Sequence, residues 1–250
     1  VNLPFVNSWD WVLAPVVVPG TAIPQDPALD LDPGSHARIP PPWQTRGQAA
    51  LEFAQFPVAL VQDLIPLDII QTWPGYTLGV VGFIHYDQTP VGPYNEFIIA
   101  PALVRHGTNL SFWVTTMTVD SPASQVNGQS NWGLPKTLGT LDYHWGEQSF
   151  LISGTQGDLL KASYTNPTRD IVSFLPDLPV PPLSFSLPLL TYTRGKFRAA
   201  TADFRGAGQL ISWRMSALGI DPQPYQLVES RETWLGVAFS EFTLTLGAPI

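Results

Sequence analysis

A chain of 250 residues, 44% hydrophobic and only 13% charged, can bury a sizeable core, and its shortage of charge points to further burial between subunits of a homo-oligomer. A net charge of −8 and a pI near 4.8 exclude nucleic acid as a partner, because phosphate recognition needs clustered Lys and Arg. With no run near the ~18 apolar residues that span a bilayer, no membrane partner is expected; with no cysteine, disulfides and thiolate metal sites drop out.

Residues 1–42 are punctuated by proline and aperiodic, ending in "RIPPPW", and read as an arm packed on a body formed by 43–250. No charged segment leads into an apolar one, and a cytoplasmic location is the corresponding expectation. Strand character then recurs at 47–56, 76–88, 94–105, 110–120 and 136–145, each rich in β-branched and aromatic residues and bounded by Gly or Pro. A hairpin is expected from 148–155 and 159–165 around Gly157-Asp158, with more strands at 191–204, 208–215 and 233–246. Two short helices fit between them. In 57–65, Pro57 leads and Val58, Val61 and Leu64 share a face; in 121–132, Ser121 is a candidate N-cap with Pro122 at the first helical position. The proline-rich 175–190 reads as a crossover between two halves of one β-structure. The expected fold is mainly β: a closed antiparallel β-barrel or cone with short flanking helices.

Few residues offer chemistry. His36, His85, His106 and His144 lie far apart with no ligand spacing, and Asp26, Asp30 and Asp32 lack the glycine and distal glutamate of a calcium loop, so no metal is expected. There is no P-loop and no G-x-G-x-x-G between strand and helix, so no nucleotide cofactor is implied, and the absence of G-x-S-x-G speaks against a serine nucleophile. His85 is a candidate general base or a packed core histidine. Lys136 is one of only three lysines, placed after Pro135 among Trp132, Leu134 and Leu138. A desolvated lysine can act as an amine nucleophile toward a ketone, while a lysine reaching solvent along its own stem is the bland alternative. Glu96, alone in a long uncharged run, poses the same choice between an inward acid/base and an outward surface residue.

Taken in order, "PPPW" (40–43), "GPYNE" (92–96) and "VDSPASQVNGQSNWGLPK" (119–136) resemble the acetoacetate decarboxylase superfamily. Asp120, Gly128 and Lys136 keep that family's spacing of eight and eight. The resemblance implies that Lys136 is the Schiff-base lysine and Glu96 the active-site glutamate. It also implies a largely apolar pocket, with Tyr94 and Trp132 lining or supporting it and Gln48, or Arg46 in a shifted register, touching substrate. The departures are Thr137 where a second lysine would stand, Gln48 in place of a carboxylate-binding arginine, and Val81 or Gly82 where a second acid would fall. The function implied is cofactor-free decarboxylation of a β-keto acid or related carbonyl compound. Aldolase-dehydratase chemistry on a larger keto acid, or binding of a small molecule without catalysis, are the alternatives.

Overall fold

The computed structural model describes residues 16–23, 37–154, 157–165, 183–218 and 223–250. Most of the 1–42 arm, including Asp26, Asp30, Asp32 and His36, lies outside these residues, as does 175–182 of the expected crossover. Fifteen strands are formed among these residues. They are β1 (Val17–Val18), β2 (Trp43–Pro57), β3 (Asp68–Ile70), β4 (Tyr76–Gln88), β5 (Tyr94–Ala100), β6 (Ala102–His106), β7 (Asn109–Trp113) and β8 (Thr116–Val119). After these come β9 (Lys136–Leu138), β10 (Thr140–His144), β11 (Ser149–Gly154), β12 (Gly157–Thr165), β13 (Leu183–Thr193), β14 (Lys196–Ala217) and β15 (Glu232–Leu246). Helix α1 (Val58–Val61) follows β2 and continues as a 3₁₀ turn; α2 (Pro122–Trp132) joins β8 to β9. No helix among the described residues is long and apolar enough to cross a membrane.

The main path runs β1-β3-β6-β7-β13-β14-β15-β2-β4-β5-β8-β9, and β10, β11 and β12 join it through β14. The closed barrel expected from the sequence is not formed: the sheet is an open half-barrel whose described ends, β1 and β9, do not pair. The chain leaves β8 for helix α2 and returns as β9, a strand of only three residues that pairs in parallel with β8 alone among the described strands, so the sheet ends there. Trp132 of α2 packs edge-on against Trp43 of β2, with centroids 5.1 Å apart, and donates from Nε1 to the Gly247 carbonyl at 2.7 Å. The helix thus packs against β2 and the end of β15 in the middle of the strand order, on the side where a further layer of sheet would otherwise lie. Bulges at Arg46/Gly47, Ala207/Gly208 and Phe239/Phe242 curl the sheet.

Strand alternation assigns each side chain to one of two cores. The outer core lies between the main sheet and the β10–β12 layer, with the Phe83 ring in contact with Phe97, Phe150 and Trp213. The inner core, built from Leu51, Ile84, Ile98, Met117, Phe204 and Leu244 among others, lines the concave side. Glu52, fully buried on the outer side, is met by Arg231 Nε at 2.6 Å. Of the arm's described residues, Val17 and Val18 add a short edge strand to β3, and Ile39 accepts from Asn131 of α2 and donates to Asn127.

Several strands differ from their expected bounds for local reasons. The 94–105 and 136–145 segments each split, at Pro101 and Gly139. The expected 191–204 strand straddles a turn at Arg194-Gly195, both with positive φ, so β13 starts earlier and β14 runs on for 22 residues.

Candidate active site

Helix α2 sets up the site. Ser121 Oγ accepts from the Ser124 N–H at 3.2 Å, Pro122 opens the first turn, and Gly133 closes the helix at φ 68°. The chain then turns through Leu134 and Pro135 into β9, which pairs in parallel with β8 so that Lys136 stands opposite Met117. The carbonyl of Lys136 is held by Gln129 Nε2 at 2.7 Å. Gly128 lies beneath the lysine stem, and a Cβ there would come within 2.5 Å of Lys136 Cδ. The absence of a side chain at Gly128 is what lets the stem lie flat on the helix.

Lys136 is 4% exposed and its Nζ donates to Glu96 Oε2 at 2.7 Å and to Ser124 Oγ at 2.9 Å. Glu96 projects inward because Tyr94, Glu96 and Ile98 share the inner face of β5. Tyr86 donates to Glu96 Oε1 at 3.2 Å and Tyr94 to Oε2 at 3.4 Å, while the Tyr94 ring lies 5.2 Å from Nζ. Burial, reinforced by the neighbouring Glu96, pushes both phenols well above their usual range, so they remain hydrogen-bond donors. Tyr143 donates to the Glu96 carbonyl at 2.9 Å from the other side of the sheet, and burial raises its phenol likewise.

Tyr86, Tyr94, Glu96 and Lys136 line a cavity of about 60 Å³, whose other walls apart from Thr45 are apolar, including Leu51, Met117, Leu187, Leu189 and Phe204. Trp132 and Leu134 are part of the lining, whereas Leu138 is exposed. Gln48 and Arg46 are not brought to this cavity. Trp43, Thr45 and Leu51 are the β2 residues that line it, and the even-numbered side chains point the other way. Arg46 is exposed and ion-pairs with Glu241. His85 is likewise on the outer face, with Nδ1 2.7 Å from Asn95 Oδ1 and Nε2 3.1 Å from Asp87. Asn95 is bound in turn by Asp120, at 2.8 Å through both its backbone and side-chain nitrogens, which ties β5 to the start of α2. Among the described residues no group of three His, Asp or Glu is placed to hold a metal ion.

Sequence reasoning missed Ser124, Tyr86 and Gln129. Ser124 and Gly128 are four apart on α2 and so share the face beneath Lys136, a helical spacing visible in "SQVNG". Tyr86 was legible from its parity with Ile84 on β4.

The family model described as acetoacetate decarboxylase (ADC) matches residues 30–210. Protein NEOXANTHIN-DEFICIENT 1 of Oryza sativa subsp. japonica is 28% identical over 102 residues, which is 40% of this chain and 33% of that protein. Its Arabidopsis thaliana counterpart is 27% identical over 100 residues, 39% of this chain and 35% of the other. The chain thus spans about a third of the length of the curated relatives it matches. Among solved structures, the acetoacetate decarboxylase of Legionella pneumophila superposes with a TM-score of 0.64 at 16% identity, covering 84% of this chain and 86% of that one. The enduracididine biosynthesis enzyme MppR complexed with pyruvate gives a TM-score of 0.58 at 15% identity, over 91% and 97%. Likenesses at these identities speak for the fold alone.

Proposed function

The chain belongs to the acetoacetate decarboxylase family, and from that premise we propose that it is an enzyme whose Lys136 forms a Schiff base with a small carbonyl compound. The observation that carries this reading is the buried Lys136–Glu96 pair, 2.7 Å apart, on the wall of a mainly apolar cavity. A buried ion pair is an uneconomical way to stabilise a fold, since a well-packed apolar pair of similar volume does as well or better. Its retention at a cavity wall is better accounted for by chemistry.

Within the pair, Glu96 takes a proton from the ammonium and leaves a neutral amine. The Nζ lone pair attacks the carbonyl carbon, the π electrons go to oxygen, and Glu96 returns the proton to that oxygen. Loss of water then gives the iminium, which accepts the electron pair of an adjacent breaking bond. Ser124 and the Tyr94 ring hold Nζ in place, and the Tyr86 and Tyr94 hydroxyls orient Glu96.

When the breaking bond joins the α-carbon to a carboxylate, the outcome is decarboxylation of a β-keto acid. Aldol-type condensation and dehydration is the second reading. It is supported by the fold likeness to MppR, whose structures hold pyruvate and a condensation product of pyruvate and imidazole 4-carboxaldehyde. Assembly into a homo-oligomer belongs to the same reading, supported by the low charge content and by exposed Trp73 and Trp234. Borohydride reduction in the presence of acetoacetate or pyruvate, followed by intact mass measurement, tests the chemistry. The wild type gains the reduced adduct and the Lys136→Arg variant does not; a wild type that gains nothing with any carbonyl compound is a binding protein.

A further inference from the structure

The walls of the cavity carry an unusual charge inventory for a site meant to hold a keto acid. Among the described residues that line it, the polar side chains are Thr45, Tyr86, Tyr94, Glu96 and Lys136, and the rest are apolar. Lys136 is the one cation among them, and its charge is already matched by Glu96. Arg46, the nearest arginine in sequence to a cavity-lining residue of β2, points to the outer face and is engaged by Glu241. A substrate carboxylate would therefore enter beside Glu96 as a second anion with no further cation among the described lining residues to receive it. It would lose its water without a charged hydrogen-bond donor in exchange, which is the least favourable way to bury a charge. The wall contributed by β13, β14 and β15, including Leu187, Leu189, Phe204, Leu244 and Leu246, offers instead a surface for saturated hydrocarbon.

We infer that the cavity accepts an uncharged, mainly aliphatic ketone or aldehyde, and that the iminium formed on it draws electrons from a Cα–H bond rather than from a bond to carboxylate. The inference rests on the Schiff-base reading above and narrows its substrate class. The step balances without any further reagent. Glu96, deprotonated once water has left, removes the α-proton; the C–H pair becomes the C=C bond of an enamine, and the C=N pair returns to nitrogen. No oxidant or reductant is involved. Return of the proton regenerates the iminium, and hydrolysis with one water frees the carbonyl compound and Lys136.

The test compares two ketones of nearly the same shape. Methyl isobutyl ketone differs from acetoacetate in carrying an isopropyl group where the acid carries its carboxylate, so cavity size cancels. Each is titrated against the wild-type protein with borohydride, and the adduct is read by intact mass; α-hydrogen exchange of the neutral ketone in D₂O is followed in parallel by proton NMR. The neutral ketone should give half-maximal adduct at a concentration lower by about a hundredfold, the order of penalty expected for an unpaired buried carboxylate. Its α-exchange should be catalysed by the wild type and not by Lys136→Arg. If acetoacetate gives adduct at an equal or lower concentration, with or without its carboxylate retained, the inference is overturned while the Schiff-base reading stands. If the ketone forms adduct but its α-hydrogens do not exchange, the Cα–H step is wrong. If neither compound forms adduct, both readings fall.

Discussion

Replacing Gly128 by alanine puts a methyl group where the lysine stem now lies. The new Cβ would stand 2.5 Å from Lys136 Cδ and 2.7 Å from Cε. Unbonded carbons settle at roughly 3.5–4.0 Å, so the stem must shift by about 1 Å. Nζ is pinned at the other end by its 2.7 Å and 2.9 Å contacts to Glu96 and Ser124, and a shift of that size lengthens at least one of them. Misplacing a reacting atom by ~1 Å costs on the order of a hundredfold in rate. Alanine also favours a helix interior over glycine by about 1 kcal/mol, which offsets part of the crowding and keeps α2 formed. The assay is the rate of borohydride-trapped adduct formation, with thermal unfolding followed by circular dichroism as the control for folding. The Gly128→Ala variant should fold and trap about a hundredfold more slowly. Trapping at the wild-type rate would show that the helix face beneath Lys136 does not position it.

Removing Lys136 as Lys136→Met leaves Glu96 buried without its partner and should cost about 3–5 kcal/mol in urea denaturation, while adding Glu96→Gln should restore most of that loss. A double variant no more stable than the single one would mean that the pair is not coupled. The phenols of Tyr86, Tyr94 and Tyr143 lie above the ordinary value of 10.0, so their contribution to stability is complete below that pH and is lost as pH rises through their folded values. Absorbance titration should show these three ionising only as the fold is lost at high pH; their titration near 10.0 in the folded protein would refute the burial argument. Gln48→Arg should leave acetoacetate trapping unchanged, because position 48 faces away from the cavity; a tenfold gain would require a different register for β2.

The most legible part of the sequence was 119–136. Its N-cap serine, proline and C-terminal glycine fix α2 within a residue, and the helix in turn fixes Lys136. Strand β4 was equally plain, because a run of β-branched and aromatic residues ends at Gln88 before a Pro-Gly turn. The face of β2 was misjudged, although the signal was present. Gln44, Arg46 and Gln48 alternate with Trp43, Thr45 and Gly47, and a polar set at period two marks the side away from the pocket. Closure of the barrel was not legible at all. It depends on whether strands far apart in sequence, β1 at 17–18 and β9 at 136–138, find each other as partners, and no local pattern encodes that pairing.

The central claim is that one particular lysine is the nucleophile, and the composition makes it unusually direct to test. Only Lys136, Lys161 and Lys196 carry a side-chain amine, and the latter two are exposed on the surface. After borohydride reduction with a saturating ketone, proteolysis and tandem mass spectrometry should place the adduct on the peptide containing Lys136, at close to one per chain, with Lys161 and Lys196 unmodified. An adduct confined to Lys161 or Lys196, or spread evenly over all three, would contradict the account.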